Sequence, residues 1–300
     1  MDGFLNLNKP QDFTSHDCVA KLRKILNTRK IGHGGTLDPS ATGVLPIAIG
    51  KATRLLQFLP TKKAYIGKVQ FGIVTTTDDL EGDIIRQTSA QHLTKETIEP
   101  YLSEFQGKIE QIPSAFSAIK QDGKKLYELA RQGKVVDVPK REVEIYDLQI
   151  LSWQSGGDSP ALEIEVQCSA GTYIRSIARD LGEKAGTGGT LASLNRTLSC
   201  GMNIEQSLTF EEISHLKTDD RLNLIPLDQP LQNLEPILLD EATSQRWCYG
   251  QKIICDDDIA NGFYRTYNHL DQFMGITEKY IKEDTPLIKA KVMLYNSSSQ

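Results

Sequence analysis

The sequence predicts an α+β fold in which a large domain is followed by a smaller one. A chain of 300 residues is long enough for one extensive hydrophobic core and a smaller appendage. Apolar and polar residues alternate, as in half-buried strands, at positions 4–8, 65–71 and 162–168. Apolar residues recur at helical spacing over positions 16–26, 94–106 and 174–185. Both types of element therefore contribute to the predicted fold.

The predicted elements have recognisable ends. The first strand ends at Lys9, which a proline follows, and Thr14 or Ser15 is suited to cap the next helix. The helix at 174–185 ends at Gly186, and we interpret positions 186–190 as a flexible turn. Strand-like segments recur near 263–266 and 273–276, after a short helical stretch at 240–248.

The segment from position 111 to 133 is less regular and contains several basic and aromatic residues. It includes a turn at 122–123 and a predicted short helix at 126–132. This composition suits a lobe that lies on RNA, although an ordinary surface excursion would have the same spacing. We predict an insertion over about positions 108–142, with Lys120 among its RNA contacts.

Composition and cysteine usage argue against several classes of protein. Apolar residues make up 39% of the chain and charged residues 24%, as in an ordinary globular protein. No apolar run has the length of a membrane span, and the N-terminus lacks the layout of a secretory signal, so we expect a cytoplasmic protein without membrane contact. The five cysteines have no metal-ligand spacing, and neither 50–53 nor 186–190 fits a P-loop, so no metal or cofactor is expected.

The charge is distributed unevenly along the chain. The net charge of −5 does not by itself suggest a nucleic-acid partner. Positions 1–60, however, contain eight Lys or Arg against four Asp, a local charge of +4, and the remainder therefore carries −9. This positive charge lies around the segment 32–38, as a polyanion-binding surface requires. A basic amphipathic helix with a solvated face would give the same pattern.

The most distinctive segment is residues 32–45, where Asp38 stands among glycines, Pro39 and small residues before an apolar run. Pro39 disfavours helical geometry at Asp38, so the carboxylate is held out from an extended backbone. The glycines permit unusual dihedral angles and a close approach of another backbone. By spacing alone, a turn whose aspartate binds loop amides is the commoner interpretation.

The motif Gly-His-x-Gly-Thr-Leu-Asp-Pro-x-Ala-x-Gly-Val-Leu at positions 32–45 resembles the catalytic-aspartate motif of the TruB family, the tRNA pseudouridine-55 synthases. The resemblance extends over about residues 3–230 and places Asp38 on the family's catalytic aspartate. One departure is Gly34, which stands where family members more often have threonine.

This resemblance implies a particular domain organisation. Residues 1–229 would form a catalytic domain of the pseudouridine-synthase fold, a mixed and largely antiparallel sheet with flanking helices, a cleft and an RNA-binding insertion. Residues 230–300 would form a small β-rich, PUA-like C-terminal domain. The segment 75–82 resembles a further stretch of the same fold, and we interpret it as mainly structural.

A second motif, Gly-Thr-Tyr-Ile-Arg at positions 171–175, resembles another segment of this family. Arg175 falls in the first turn of its predicted helix, where the helix dipole disfavours a cation by about 0.3–1 kcal/mol, so an anionic partner is expected. The resemblance implies that this partner is Asp38, in a salt bridge that aims the carboxylate. A surface arginine that points to water is the alternative.

The resemblance also assigns Tyr65 to the family's active-site tyrosine, whose ring would stack on the target base. A strand tyrosine packed in the core is the alternative. Lys9 is expected either to contact phosphate or to position the Asp38 loop. The predicted catalytic residues are thus Asp38, Tyr65 and Arg175, and the candidate substrate-binding residues are Lys9, His33, Gly35, Thr36, Tyr173 and Lys120.

The activity implied by the resemblance is isomerisation of uridine 55 in the TΨC loop of tRNA to pseudouridine, with the base flipped into a pocket. This reaction consumes no cofactor, which agrees with the absence of cofactor and metal motifs. The expected partner is the T arm of tRNA, and the protein is expected to be a monomer without an obligate protein partner. One alternative is a tRNA-binding folding chaperone in which Asp38 is structural. A glycosidase is a second alternative, but it usually needs two carboxylates.

Overall fold

The computed structural model describes residues 1–114, 120–121, 124–125, 138–255, 258 and 260–294. The predicted turn at 122–123 and the predicted helix at 126–132 lie outside these residues, as does the side chain of Lys120.

The described strands are numbered in chain order. They are β1 Gly3–Lys9, β2 Ile31–His33, β3 Thr42–Ile49, β4 Lys63–Phe71, β5 Ile73–Thr75, β6 Ile84–Gln87, β7 Gly107–Gln111, β8 Lys120–Gln121, β9 Lys124–Lys125, β10 Arg141–Gln154, β11 Ala161–Cys168, β12 Gly189–Ser199, β13 Met202–Asn203, β14 Pro236–Leu238, β15 Ile253–Ile254, β16 Gly262–Tyr267, β17 Phe273–Lys282 and β18 Thr285–Met293. The described α-helices are α1 Ser15–Ile25, α2 Lys95–Leu102, α3 Ile174–Lys184, α4 Phe210–Thr218 and α5 Glu241–Cys248. The strands and helices predicted from sequence within the described residues are confirmed, apart from small differences at their ends.

The larger sheet contains nine of the described strands, in the order β1-β3-β12-β4-β11-β10-β7, with β2 paired to β3 and β13 paired to β12. All its pairs are antiparallel except that of β3 with β12, so the sheet is mixed and largely antiparallel as predicted. Strand β4 lies in the middle of this order. Its Tyr65 is in register with Val166 of β11 and Arg196 of β12.

Helix α1 begins where the sequence predicts. The hydroxyl of Thr14 accepts a hydrogen bond from the Asp17 N–H at 3.0 Å, and the Asp17 carboxylate accepts one from the Thr14 N–H at 3.0 Å. This reciprocal capping box satisfies two donors that the first helical turn leaves unpaired. The buried face of α1, which includes Val19 and Leu22, packs against apolar residues of β1 and β3.

Helix α3 packs on the large sheet through a buried apolar face that includes Ile177, Ala178 and Leu181. A Cβ on Gly182 would overlap the backbone of Gly189, so glycine at this position permits the helix to lie directly against the start of β12. The flexibility expected of the turn at 186–190 stays a prediction. In the structure Thr187 and Thr190 are buried, and Gly189 lies directly against the backbone of Ala178 and Gly182.

The C-terminal region forms a five-stranded sheet in the order β14-β16-β17-β18-β15, with α5 packed on it. Its apolar residues Ile276 and Val292 share one buried cluster with Phe4 and Phe58 of the N-terminal part. The rings of Phe58 and Phe263 lie edge to face with centroids 5.1 Å apart. The division at residue 229 stays a prediction. None of the helices in the described ranges combines the length and apolar character that crossing a membrane requires.

Candidate active site

Asp38 lies in the loop between β2 and β3, and buried polar side chains fix this loop. The Lys9 ammonium donates to the carbonyl oxygens of Pro10 at 2.9 Å, Phe13 at 2.7 Å and Pro39 at 3.0 Å. Lys9 is completely buried. It therefore holds the residue that follows Asp38 and does not reach a phosphate, so the prediction that it binds substrate is replaced by the positioning alternative.

A second buried cation, Arg196 of β12, holds the other end of the loop. Its guanidinium donates to the carbonyl oxygens of Val44 at 2.8 Å, Thr36 at 3.2 Å and Gly35 at 3.1 Å. Sequence reasoning missed this residue. The available signal was an arginine at the end of an apolar segment, where a charged side chain needs buried partners.

The predicted ion pair between Asp38 and Arg175 is confirmed. Arg175 Nη2 lies 3.0 Å from Asp38 Oδ2. The Arg175 side chain is only 7% exposed, whereas the Asp38 side chain is 41% exposed. The guanidinium is therefore a fixed element of the protein interior, and the carboxylate that it holds faces outward, accessible to a substrate.

Arg175 also contacts the segment 75–82. Its Nη1 donates to the Thr77 carbonyl oxygen at 3.0 Å and lies 3.6 Å from Oδ2 of the buried Asp79. The interpretation of this segment as mainly structural is thus incomplete, because one of its carboxylates shares the arginine that holds Asp38. The sequence signal was present in two adjacent acids, Asp78 and Asp79, beside an apolar strand.

The neighbouring acid fixes the same helix. Asp78 Oδ2 lies 3.0 Å from Arg179 Nη1, and the Arg179 guanidinium also donates to the Ile112 carbonyl oxygen at 2.8 Å. Burial raises the pKa of the Asp78 carboxyl, and the charges of Arg179 and Arg175 oppose that shift. Asp78 and Asp79 therefore tie the segment 75–82 to successive turns of α3.

A cavity of about 310 Å³ opens beside this ion pair. This volume lies at the lower end of the range for small-molecule sites. Its lining comes from the Asp38 loop, β4, the segment before α3, and β12; the lining residues are Thr36, Leu37, Asp38, Lys63, Tyr65, Gly171, Thr172, Tyr173, Ile174, Arg175 and Leu194. The structure thus brings together all three predicted catalytic residues and two of the predicted substrate-binding residues.

The two tyrosines of the cavity are held differently. Tyr65 is almost fully buried, and this burial raises the pKa of its phenol. The backbone N–H of Tyr173 donates to Gln111 Oε1 at 3.0 Å, and the Arg141 guanidinium lies 5.6 Å from the centre of the Tyr173 ring. Both residues present aromatic surface to a cavity that also contains carboxylate and guanidinium groups.

Two protein-family models match this chain. Residues 23–174 match the model described as TruB family pseudouridylate synthase, N-terminal domain. Residues 236–284 match the model described as pseudouridine synthase II TruB, C-terminal. The chain belongs to the TruB family of pseudouridine synthases.

Relatives in the TruB family extend along nearly the whole chain. A protein named tRNA pseudouridine synthase B from Acaryochloris marina is 52% identical over 295 residues, which cover 98% of this chain and 99% of the relative. The protein of the same name from Gloeothece citriformis is 55% identical over 259 residues, or 86% of this chain and 84% of the relative. The chain is therefore an enzyme, an isomerase of the pseudouridine synthase class.

Two solved structures show that the fold is shared beyond these relatives. A chain in a Cbf5-Nop10-Gar1 complex superposes with a TM-score of 0.72 at 25% identity, over 97% of this chain and 84% of that one. A chain in an H/ACA RNP bound to a substrate RNA containing 2′-deoxyuridine gives a TM-score of 0.73 at 23% identity, over 99% and 86%. The predicted pseudouridine-synthase fold is confirmed, and the C-terminal β-rich region agrees with the PUA-like prediction.

The remaining candidate residues of this TruB-family site take up different positions. Gly35 contributes its carbonyl oxygen to Arg196 and does not line the cavity. His33 also lies outside the lining; its buried Nδ1 has no hydrogen-bond partner among the described residues, and burial lowers the pKa of its imidazole against an opposing effect of the Gly35 backbone. Their contact with substrate stays a prediction, as does that of Lys120.

Gly34, the departure from the usual TruB motif, has a packing explanation. A Cβ at this position would lie 2.9 Å from Cys200 Sγ, which is too close for an undistorted contact. The Cys200 thiol instead donates to the Gly34 carbonyl oxygen at 3.2 Å. In this chain the loop therefore packs on a cysteine in the space that a side chain at position 34 would fill.

Across the described ranges, no group of three or more His, Cys, Asp and Glu side chains is arranged to hold a metal ion.

Proposed function

We propose that this protein converts uridine 55 in the TΨC loop of tRNA to pseudouridine, with Asp38 as the catalytic residue. Support comes from membership of the TruB family and from relatives named tRNA pseudouridine synthase B. The observation that carries the proposal is the ion pair at the cavity, in which a buried guanidinium holds a partly exposed carboxylate. An aspartate that only capped a turn would not need a buried arginine to orient it.

The reaction detaches the uracil base from the ribose and re-attaches it through a different atom of the base. The C1′–N1 bond breaks, a C1′–C5 bond forms, and the proton on C5 is replaced by one on N1. Asp38 acts on the ribose as a nucleophile or as a base, while Arg175 keeps its carboxylate aimed into the cavity. No redox equivalent and no added group are needed for this balance.

The target base enters the cavity only after leaving its stack. A uridine stacked inside a folded tRNA loop cannot bring its C1′ to the Asp38 carboxylate while its base enters the cavity, so the nucleotide flips outward. Tyr65 and Tyr173 offer aromatic surface for the extruded base, and Leu194 adds an apolar wall. In this proposal the two tyrosines bind the flipped uracil ring.

The test is to map pseudouridine in an unmodified tRNA transcript after treatment with the wild-type protein or with Asp38→Asn. We expect wild type to modify position 55 and Asp38→Asn to leave it as uridine while still binding the transcript. Asp219→Asn, which changes an exposed acid after α4, is the matched control and retains activity. Pseudouridine formation by Asp38→Asn would overturn the catalytic role of Asp38, whereas a wild-type protein that binds the transcript without modifying it would favour the chaperone alternative.

A further inference from the structure

Lys63 lines the cavity but has no part in the reaction described so far. It begins β4 two residues before Tyr65, so the two side chains project from the same face of the strand. Among the residues that the structure describes, none accepts a hydrogen bond from the Lys63 ammonium or forms an ion pair with it. Burial lowers the pKa of Lys63, and the nearby Arg196 charge lowers it further. Within the described part of the chain, Lys63 thus lines the cavity as a cation that an anionic ligand could pair with.

The neighbouring cation, Arg196, shows how a buried positive charge is satisfied by acceptors within the protein. The Arg196 guanidinium is engaged by three backbone carbonyl oxygens of the loop and of β3. The Lys63 ammonium is 3.3 Å from the place where a Cβ on residue 35 would lie. Because that residue is Gly35, no side chain covers the ammonium on this side. The Arg196 guanidinium is therefore bound by backbone carbonyl oxygens, whereas the Lys63 ammonium has no acceptor among the described residues and can bind a ligand.

The side chains around the cavity change from apolar to cationic along β4. At Gly67 it is closed by apolar side chains, since a Cβ there would contact Ile174 at 3.3 Å, Leu191 at 3.4 Å and Leu194 at 3.6 Å. Tyr65 lies further out, and Lys63 lies about 7 Å beyond Tyr65, given the rise of two strand residues. The apolar inner part suits a base, and the cationic outer end suits the negatively charged backbone of the same nucleotide.

We propose that Lys63 is the phosphate-binding residue of this pocket, and that its ammonium binds a phosphodiester next to the flipped uridine. The inference rests on the proposed function, because it takes the occupant of the cavity to be a nucleotide within an RNA. A phosphate supplies the charged acceptor that the ammonium lacks in the free protein, and hydrogen bonds between charged partners are the strong ones. A uracil carbonyl is the competing acceptor, and the experiment separates the two.

The experiment combines protein variants with RNAs that lack one backbone charge. Wild type, Lys63→Met, Lys63→Arg and Lys62→Met are each bound to a T-arm stem-loop. Two further stem-loops have a neutral methylphosphonate on the 5′ or the 3′ side of the target uridine. Dissociation constants are measured over a series of salt concentrations, and single-turnover rate constants at saturating protein. Lys62 is the matched control because it is the adjacent, exposed lysine and does not line the cavity.

We expect Lys63→Met to weaken binding roughly tenfold and to reduce the slope of log K against log salt by about 0.7–0.9, the value for one phosphate contact. Lys63→Arg should keep most of the affinity. One of the two methylphosphonates should weaken binding to wild type and to Lys62→Met by a similar factor, and should have no further effect on Lys63→Met. This loss of sensitivity identifies the phosphate that Lys63 binds.

Three results would overturn the inference. Lys63→Met could keep wild-type affinity and salt slope while its single-turnover rate constant falls, which would place the ammonium on the uracil ring. It could lose affinity yet remain sensitive to both methylphosphonates. It could also melt well below wild type while Lys63→Arg does not restore binding, which would make Lys63 structural. If wild type binds the stem-loop but forms no pseudouridine in whole tRNA, the proposed function fails, and the binding data still decide the role of Lys63.

Discussion

Arg175 is the residue on which the geometry of the site depends, because two carboxylates share it. Asp38 is the exposed partner and Asp79 the buried one. In the proposed reaction Asp38 engages a ribose, and the contacts of Arg175 with Asp79 and with the Thr77 carbonyl oxygen would keep the arginine in place at that point. The buried acid thus acts as a positioning residue for the exposed one.

Substitution of Asp79 by Asn tests this sharing. We expect the single-turnover rate constant to fall about 10- to 100-fold, since removing one partner of a buried ion pair typically costs about 3–5 kcal/mol and part of this cost falls on the orientation of Arg175. The dissociation constant for tRNA should change little, because Asp79 does not line the cavity. Glu110→Gln, which breaks an exposed ion pair with Lys140, is the control and should react at the wild-type rate. An Asp79→Asn enzyme with an unchanged rate constant would show that Asp79 is not needed to position the arginine.

Lys9 is a second case of a buried charge that acts on the Asp38 loop. Burial lowers the pKa of its ammonium, and three carbonyl oxygens satisfy its three donors. Lys9→Met removes a donor from three partly buried carbonyl oxygens, of which that of Pro39 still accepts from the Asp12 N–H, so we expect a loss of about 3 kcal/mol in the free energy of unfolding. Urea denaturation measures this change, with the exposed Lys30→Met as the control. If Lys9→Met lowered affinity for tRNA without lowering stability, the phosphate-contact alternative would return.

At the scale of elements, α1 joins the N-terminal strand to the Asp38 loop. Its residue Ser15 exchanges two hydrogen bonds with the backbone of Leu37, at 2.9 and 3.2 Å. Ser15, the first residue of this helix, therefore fixes the residue that precedes Asp38. A helix whose first turn frayed would release the loop that carries the catalytic residue.

The direction in which pH changes the stability that this capping box contributes can be predicted. A hydrogen bond from the Thr14 side chain, followed by one from the Thr14 backbone, lowers the pKa of Asp17 below its usual 3.8. The folded state therefore favours the ionised carboxylate, and the resulting stability is fully present above pH 3.8 and is lost as the pH falls through the lowered value. NMR titration of the Asp17 carboxyl should show this lowered pKa in wild type and a higher one in Thr14→Ala. Identical titration curves would contradict the role of the capping box.

At the scale of the whole molecule, the two sheets share one apolar cluster. Besides the common burial of Phe4, Phe58, Ile276 and Val292, the Lys51 ammonium donates to the Leu294 carbonyl oxygen at 2.9 Å. Truncation of a buried aromatic such as Phe58 to alanine typically costs about 3–5 kcal/mol. Because this cost would fall on both sheets at once, the regions 1–229 and 230–300 are expected to unfold together.

The two tryptophans of the chain provide a direct measurement. Trp153 lies on β10 of the large sheet, and Trp247 is buried in α5 on the small one. Single-tryptophan variants, Trp153→Phe and Trp247→Phe, each report on one region during urea denaturation. We expect coincident fluorescence transitions once each variant is compared with its own circular dichroism transition. Two separated transitions within one variant would show that the regions unfold independently.

Much of the fold could be predicted from the sequence because local patterns carry it. The alternation at β1, β4 and β11 and the helical spacing at α1 and α3 determine those elements through burial of one face. The Asp38 loop was recognisable because its glycines permit unusual backbone dihedral angles and its proline restricts the residue before it. Arg175 was recognisable because a cation in the first turn of a helix requires an anion nearby.

Only the tertiary structure decided which distant groups meet. Arg196 reaches the Thr36 carbonyl oxygen across 160 positions of the chain, and Arg175 reaches Thr77 across 98. Lys9 could have been exposed or buried by its local sequence, and its burial depends on the loop folding back over β1. Sequence periodicity reports which face of an element is buried, whereas partner choice depends on how strands are ordered in the sheet. For this reason the pairing of Asp38 with Arg175 could be predicted from sequence, the role of Lys9 stayed open between two alternatives, and Arg196 was missed.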